Sequence, residues 1–141
     1  MLSLLMPFKN TASFLPECLE SIHLQDYQNW ELIAVDDHSS DHSRSLLMQW
    51  AERDPRIRMV PNEGRGIIPA LRTAFSQSRG QLISRMDSDD RMAPGRLKAM
   101  AGQLLKHGRG HIALGLGAYR SEERFSRNAE TVSRSRMPSS A

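Results

Sequence analysis

The chain has 141 residues, enough for one domain with a hydrophobic core. Its single cysteine, Cys18, excludes an intrachain disulfide, and no apolar run reaches the length of a membrane span, so the chain is expected in the cytoplasm, with a peripheral position at the inner membrane left open. From Gly108 onward there are six Arg and three Glu, which account for the whole formal charge of +3; the first 107 residues balance 13 basic against 13 acidic side chains, and so local an excess gives no reason to expect a nucleic-acid partner.

In chain order, Leu2–Met6 reads as a buried strand stopped by Pro7. Asn10, Thr11 or Ser13 is placed to cap a helix running to about Leu24, with Leu15, Cys18, Leu19 and Ile22 on one face. Leu32–Val35 is a second buried strand and ends in Asp36-Asp37. Ser39, Ser40, Asp41 and Ser43 offer caps for a second helix, which is expected to bury Leu46, Leu47 and Trp50 and to end at Asp54-Pro55. Ile57–Val60 is a third strand, and Gly64 and Gly66 mark a loop. A helix to about Ser78 follows, with Ile67, Leu71, Ala74 and Phe75 expected to face inward. Gln81–Met86 is the fourth strand, and Pro94 suits the start of a fourth helix with an apolar stripe of Leu97, Met100, Leu104 and Leu105. Strand and helix alternate four times, which implies an α/β fold: a mostly parallel sheet with right-handed crossovers and helices on both faces. His111–Leu116 could form a fifth strand, and residues 126–141 carry too few apolar side chains to form a core of their own.

Parallel strands all point the same way, so the residues after each strand share one edge of the sheet. Lys9-Asn10, Asp36-Asp37, Asn62-Glu63-Gly64 and Asp87-Ser88-Asp89-Asp90 should therefore meet in one crevice. Asp87, Asp89 and Asp90 repel one another unless a cation lies among them; a metal held by Asp89, with help from Asp87 or Asp90, would bridge two phosphate oxygens of a diphosphate. A carboxylate at Asp36 or Asp37 can accept hydrogen bonds from a base or from ribose hydroxyls. Taken alone, Asp36-Asp37 reads more simply as a capping turn and the later cluster as a solvated loop; their coincidence on one edge argues against both. The scattered histidines lack metal-ligand spacing, and Cys18, on the apolar helix face, reads as a core residue.

Five blocks occur in order between Leu2 and about Leu105: Met6-Pro7-Phe8-Lys9-Asn10, Val35-Asp36-Asp37-His38-Ser39-Ser40-Asp41, Asn62-Glu63-Gly64-Arg65-Gly66, Gly80 through Asp90, and Pro94-Gly95-Arg96-Leu97. With these blocks the chain resembles the family 2 glycosyltransferases of the GT-A nucleotide-sugar fold, a Rossmann-like architecture. The resemblance implies an inverting transfer of a sugar from a nucleotide-diphosphosugar, a UDP-sugar first among them, to an unknown acceptor, as in cell-envelope polysaccharide biosynthesis. It places Pro7 and Lys9 at the base, Asp37 with Asp36 at base or ribose, and Asp87 at ribose or sugar. Asp89 would ligate Mn²⁺ or Mg²⁺ with Asp87 and Asp90, and Arg65 is the candidate phosphate contact. His38 stands where the family prefers Gly, and Arg72 where an Asn is common.

The resemblance fades near His107, before the region in which such enzymes carry the catalytic base. Glu122, Glu123 and Glu130 sit in no matching motif, and the base is unassigned. The expected organisation is therefore a nucleotide-sugar-binding domain over residues 1–107, then a fifth strand and a disordered Arg/Ser-rich tail over 108–141; the chain is either a natural short protein or, as the abrupt change of composition favours, a truncated or frame-shifted reading. The alternative function is a non-catalytic fragment that binds nucleotide and metal. A haloacid-type phosphatase, which also has Asp-x-Asp at a strand end, is disfavoured because here the cluster ends the fourth strand and Arg91 follows it.

Overall fold

Among the described residues four strands, β1 (Leu2–Phe8), β2 (Trp30–Asp36), β3 (Ile57–Pro61) and β4 (Leu82–Arg85), form one sheet in the order β3-β2-β1-β4, with each of these pairings parallel. The computed structural model describes residues 1–108. The expected strand at 111–116, the tail and the glutamates at 122, 123 and 130 lie outside the described residues. The chain divides into two compact units, residues 1–98 and 99–141, and everything said of the cleft below concerns the first.

Four helices, α1 (Leu15–His23), α2 (Ser43–Arg53), α3 (Ile67–Gln77) and α4 (Arg96–His107), alternate with the strands as the hydrophobic periods require. β2 is buried along its whole length, as expected of a strand covered on both faces. One face carries Leu5, Ile33 and Val35, which pack with Ala70 and Ala74 of α3. On the other face the Cys18 thiol of α1 lies 3.8 Å from Met6 Sδ. α1 also packs beside α2, and α2 against β3. The expected α/β architecture, with helices on both faces, is thus the one observed.

Several local expectations are corrected. Pro7 does not stop β1 but lies inside it, opposite Val35. Leu5 O accepts from Met86 N and Phe8 O from Asp37 N, so the backbone groups of β1 alternate between β4 and β2. The missing N–H of Pro7 falls on the β4 side, beyond Leu5, where the pairing with β4 ends. The N-cap residues Phe14 of α1 and His42 of α2 make no side-chain cap, but one expected cap does act at α2: Asp41 Oδ1 accepts from Ser43 N, the first N–H of the helix, at 2.9 Å. At α1 a backbone turn serves instead, with Phe14 N and Leu15 N both donating to Thr11 O.

Leu46 and Trp50 are only half-buried, and the Trp50 ring meets His23 edge-on at 5.8 Å. The expected face of α3 holds for Ala74, which is buried, and for Leu71, which packs against the core, but it is shifted toward Ala70 and Thr73, and Ile67 and Phe75 are 47% and 60% exposed. Small residues let this helix approach the sheet closely, which moves the bulky ones to its flanks. In α4, Leu97 and Ala101 are buried whereas Leu105 is exposed, and Pro94 falls in the turn before the helix.

Candidate functional site

β2 and β3 lie on one side of β1 and β4 lies on the other, so the winding reverses between β1 and β4. A sheet opens a crevice beyond its strand tips at such a point. A cleft of about 290 Å³ is found there, lined by residues of the β1 tip (Pro7, Phe8, Lys9, Thr11), the β2 tip (Asp37), the start of α3 (Ile67) and the β4 tip (Arg85, Asp87, Ser88, Asp89).

The tips are braced against one another. Asn10, held at φ 51°, accepts on Oδ1 from the N–H groups of Ser40 (2.7 Å) and Asp41 (3.2 Å), and its own N–H donates to Ser39 Oγ at 3.1 Å. Thr11 N donates to Ser43 Oγ and Ala12 N to Asp41 Oδ2, so the β1 tip rests on the turn that begins α2. The third tip is joined through Asp37, whose Oδ1 accepts from Asn62 Nδ2 at 2.9 Å and from Gly66 N at 3.0 Å. Gly64 must be glycine for space, since a Cβ there would lie 2.8 Å from Pro69 Cβ.

The two adjacent aspartates take different roles. Asp36 is buried; its Oδ1 accepts from Ser39 N at 3.1 Å and its Oδ2 pairs with Arg44 Nε at 3.2 Å, and it does not line the cleft. It closes the turn after β2 and does not cap α2, which begins at Ser43. Asp37 lines the cleft and uses only Oδ1 in these bonds, which leaves Oδ2 for a ligand. Partial burial works to raise the Asp37 carboxyl, but the Gly66 and Asn62 hydrogen bonds and the nearby Lys9 charge outweigh it and hold the group below the usual carboxylate range.

At the β4 tip the strand alternation continues beyond the last paired residue: Met86 and Ser88 are buried while Arg85, Asp87 and Asp89 are exposed. Carboxylate oxygens of Asp87, Asp89 and Asp90 all lie within 4.8 Å of one another. Three hard oxygens at that spacing suit a small divalent cation with water completing its shell. Arg85 Nε pairs with Asp87 Oδ1 at 3.0 Å. Beneath the turn, Cys18 Sγ lies 3.7 Å from Asp87 O. Burial first, then the charges of Asp90, Asp89 and Asp87, push the Cys18 thiol up to about 12, so it stays protonated and is no nucleophile.

Of the residues singled out from the sequence, Pro7, Lys9, Asp37, Asp87 and Asp89 line the cleft, and Asp90 joins the carboxylate cluster. Arg65 is exposed on the loop after β3 and is not among the lining residues. Ser88 lines the cleft as expected, whereas Asn10, Asn62, Glu63 and Gly64, expected in the same crevice, are not among the lining residues; Phe8, Thr11, Ile67 and Arg85 line it and were not singled out as site residues. Arg85 carried a usable signal, because counting back two positions from Asp87 along a strand stays on the same face. Ile67 carried none, since its place depends on the rotation of α3.

A family model described as Glycosyl transferase family 2 matches residues 3–140. Among curated relatives, the putative glycosyltransferase EpsE of Bacillus subtilis is 36% identical over 107 residues, covering 74% of this chain and 38% of the relative. The Escherichia coli UDP-Glc:alpha-D-GlcNAc-diphosphoundecaprenol beta-1,3-glucosyltransferase WfgD is 32% identical over 108 residues, covering 76% of this chain and 42% of the relative. The chain thus spans less than half the length of either. Among solved structures, Staphylococcus aureus TarS 1–349 in complex with UDP superposes with a TM-score of 0.69 at 22% identity, over 82% of this chain and 38% of that one, and shares the fold. The mannosyltransferase PcManGT of Pyrobaculum calidifontis, in complex with GDP-Man and Mn²⁺, gives a TM-score of 0.69 at 26% identity, over 90% of this chain and 37% of that one. The fold is the GT-A fold that the resemblance implied.

Proposed function

We propose that this chain, which belongs to glycosyl transferase family 2, binds a nucleotide-diphosphosugar in the cleft between the β1 and β4 tips and forms the donor half of an inverting glycosyl transfer. The observation that carries the reading is the convergence of Asp37 and Asp89, from opposite sides of β1, on one cleft. Lys9 and the backbone around Pro7 would meet the base, and Asp37 Oδ2 the base or ribose, with Asp36 setting the turn behind it. Asp87 would face ribose or sugar. Asp89, with Asp87 and Asp90, would hold Mn²⁺ or Mg²⁺, which supplies charge neutralisation for a departing diphosphate. Arg85, inside the cleft, is the nearer candidate for a phosphate oxygen, and Arg65 the farther one.

Two relatives support the ligand class. The mannosyltransferase at 26% identity is named with GDP-Man and Mn²⁺. The E. coli relative is named for UDP-Glc and for a diphosphoundecaprenol acceptor, which favours a UDP-sugar and an acceptor of cell-envelope polysaccharide assembly at the membrane surface. Among the described residues no helix is long and apolar enough to cross a membrane. No catalytic base is assigned to a described residue.

Titration calorimetry of the 141-residue chain with UDP and Mn²⁺ tests the reading. Binding should require the metal and should be lost in Asp89→Ala; an unchanged affinity in that variant would refute it. Incubating the chain with UDP-sugars separates donor binding from transfer. Turnover is expected to be weak or absent, and repeated turnover would show that the chain also contains its base.

A further inference from the structure

Among the described residues two non-glycines hold a positive φ, Asn10 at 51° and His38 at 60°, and both stand at strand tips bordering the cleft. That backbone region disfavours side chains with a Cβ, so each needs a compensating contact. For Asn10 the contact is the pair of bonds to Ser40 N and Asp41 N, which ties the β1 tip to the β2 tip. For His38 it is a bond from Nε2 to Gly64 O, 2.9 Å, which reaches across to the loop after β3. The acceptor is a carbonyl, so this ring nitrogen carries the hydrogen. The His38 side chain is exposed and adds nothing to the core, so this bond is its contribution. A Cβ on Gly64 would lie 2.8 Å from Pro69 Cβ, so the loop runs close to the start of α3, and two residues on Gly66 N donates to Asp37 Oδ1. The loop is thus pinned between α3 and the β2 tip, with the ring as the outer fastening.

We propose that His38 is a positioning residue: its ring N–H latches the Asn62–Gly66 loop onto the β2 tip and so fixes the wall of the cleft formed by Asp37 and Ile67. The cleft role rests on the function proposed above. Without the latch the loop samples positions in which Gly66 N no longer meets Asp37, and affinity falls with the fraction of molecules in the competent state.

The test compares His38→Ala with His38→Gln in the 141-residue chain. Both bear a Cβ at the same φ, so the backbone cost is shared, and only Gln can donate to Gly64 O. Two quantities are read: amide hydrogen exchange at Gly64 and Gly66 without ligand, and the Kd for UDP, and separately GDP, with Mn²⁺. His38→Ala should speed exchange at Gly66 and weaken nucleotide binding by about 3- to 10-fold each, as loss of one hydrogen bond permits. His38→Gln should stay within about two-fold of the parent in both, since its amide can replace the donor. Exchange and affinity unchanged in His38→Ala, or equally disturbed in both variants, overturns the latch. A parent chain that binds neither nucleotide overturns the cleft role together with the proposed function, whereas normal parental binding with an indifferent His38→Ala overturns the latch alone.

Discussion

At the amino ends of the strands Glu31 is buried and enclosed by donors, whereas at the carboxyl ends Asp87, Asp89 and Asp90 are exposed and crowd one another. Glu31 takes bonds from Arg79 N (2.6 Å) and Ser3 Oγ (2.7 Å) and pairs with Arg58 and Arg79 at 3.3 and 3.4 Å. Burial alone would raise this carboxyl; these donors and charges outweigh it and hold it below its ordinary range. The same end holds Asp54, buried against Arg56, whose guanidinium lies 3.9 Å over the Trp30 ring. One end has its negative charge answered within the fold, as buried charge requires. At the other the carboxylates are exposed to solvent, with Arg85 pairing to Asp87 at 3.0 Å, an arrangement that the fold tolerates and a cation can use.

The widest separation between the two ends should come from Asp89→Ala. Metal-dependent UDP affinity should drop at least about ten-fold by calorimetry, with the Tm unchanged or slightly raised because a like charge has gone. A variant that loses binding only by unfolding would collapse the distinction. Glu31→Ala is the converse. Urea unfolding should show a loss of about 2–4 kcal/mol, because Ser3 Oγ and Arg79 N lose their acceptor, while the molecules that remain folded bind UDP as before.

Acid sharpens the same contrast. The Arg56 hydrogen bonds lower the Asp54 carboxyl to about 2, and Glu31 is also lowered. A depressed folded pKa adds stability that is full above the unfolded pKa, about 4, and disappears as pH falls through the folded value. Unfolding followed from pH 5 to 2 should therefore show progressive destabilisation, with Asp54 contributing on the order of 2 kcal/mol. Asp54→Asn should flatten that part of the profile.

Asp37→Asn keeps an Oδ1 acceptor for Asn62 and Gly66 but removes the charge, so UDP binding should weaken about 3- to 10-fold with little change in Tm. The smallest difference separates two arginines. Arg85→Ala, inside the cleft, should weaken UDP binding by a few-fold, and Arg65→Ala by less than about two-fold. The reverse order would show that the loop after β3 folds over the bound nucleotide.

Much of this was readable from residue order. The strand and helix alternation, the burial of Leu15, Cys18, Leu19 and Ile22, and the gathering of Lys9, Asp37, Asp87 and Asp89 at one edge follow from hydrophobic period and from the direction that parallel strands share. Pro7 was misread because its effect depends on which neighbour its missing N–H would face, and that is known only once β4 is seen to stop pairing at Leu5. The inward face of α3 was read correctly at Leu71 and Ala74 but misread at Ile67 and Phe75, because large apolar side chains outweigh small ones in a periodicity, whereas close helix-to-sheet packing favours Ala70 and Ala74.

The sequence by itself determined the fold class and the edge on which the charged residues collect, because both depend on local period and chain direction. Only the tertiary structure decided that Asp36 is held by Ser39 and Arg44 while Asp37 faces the cleft, and that Arg65 does not line it. Neighbouring carboxylates look alike in a sequence; which of them remains open to a ligand depends on the donors that distant segments bring within hydrogen-bonding reach.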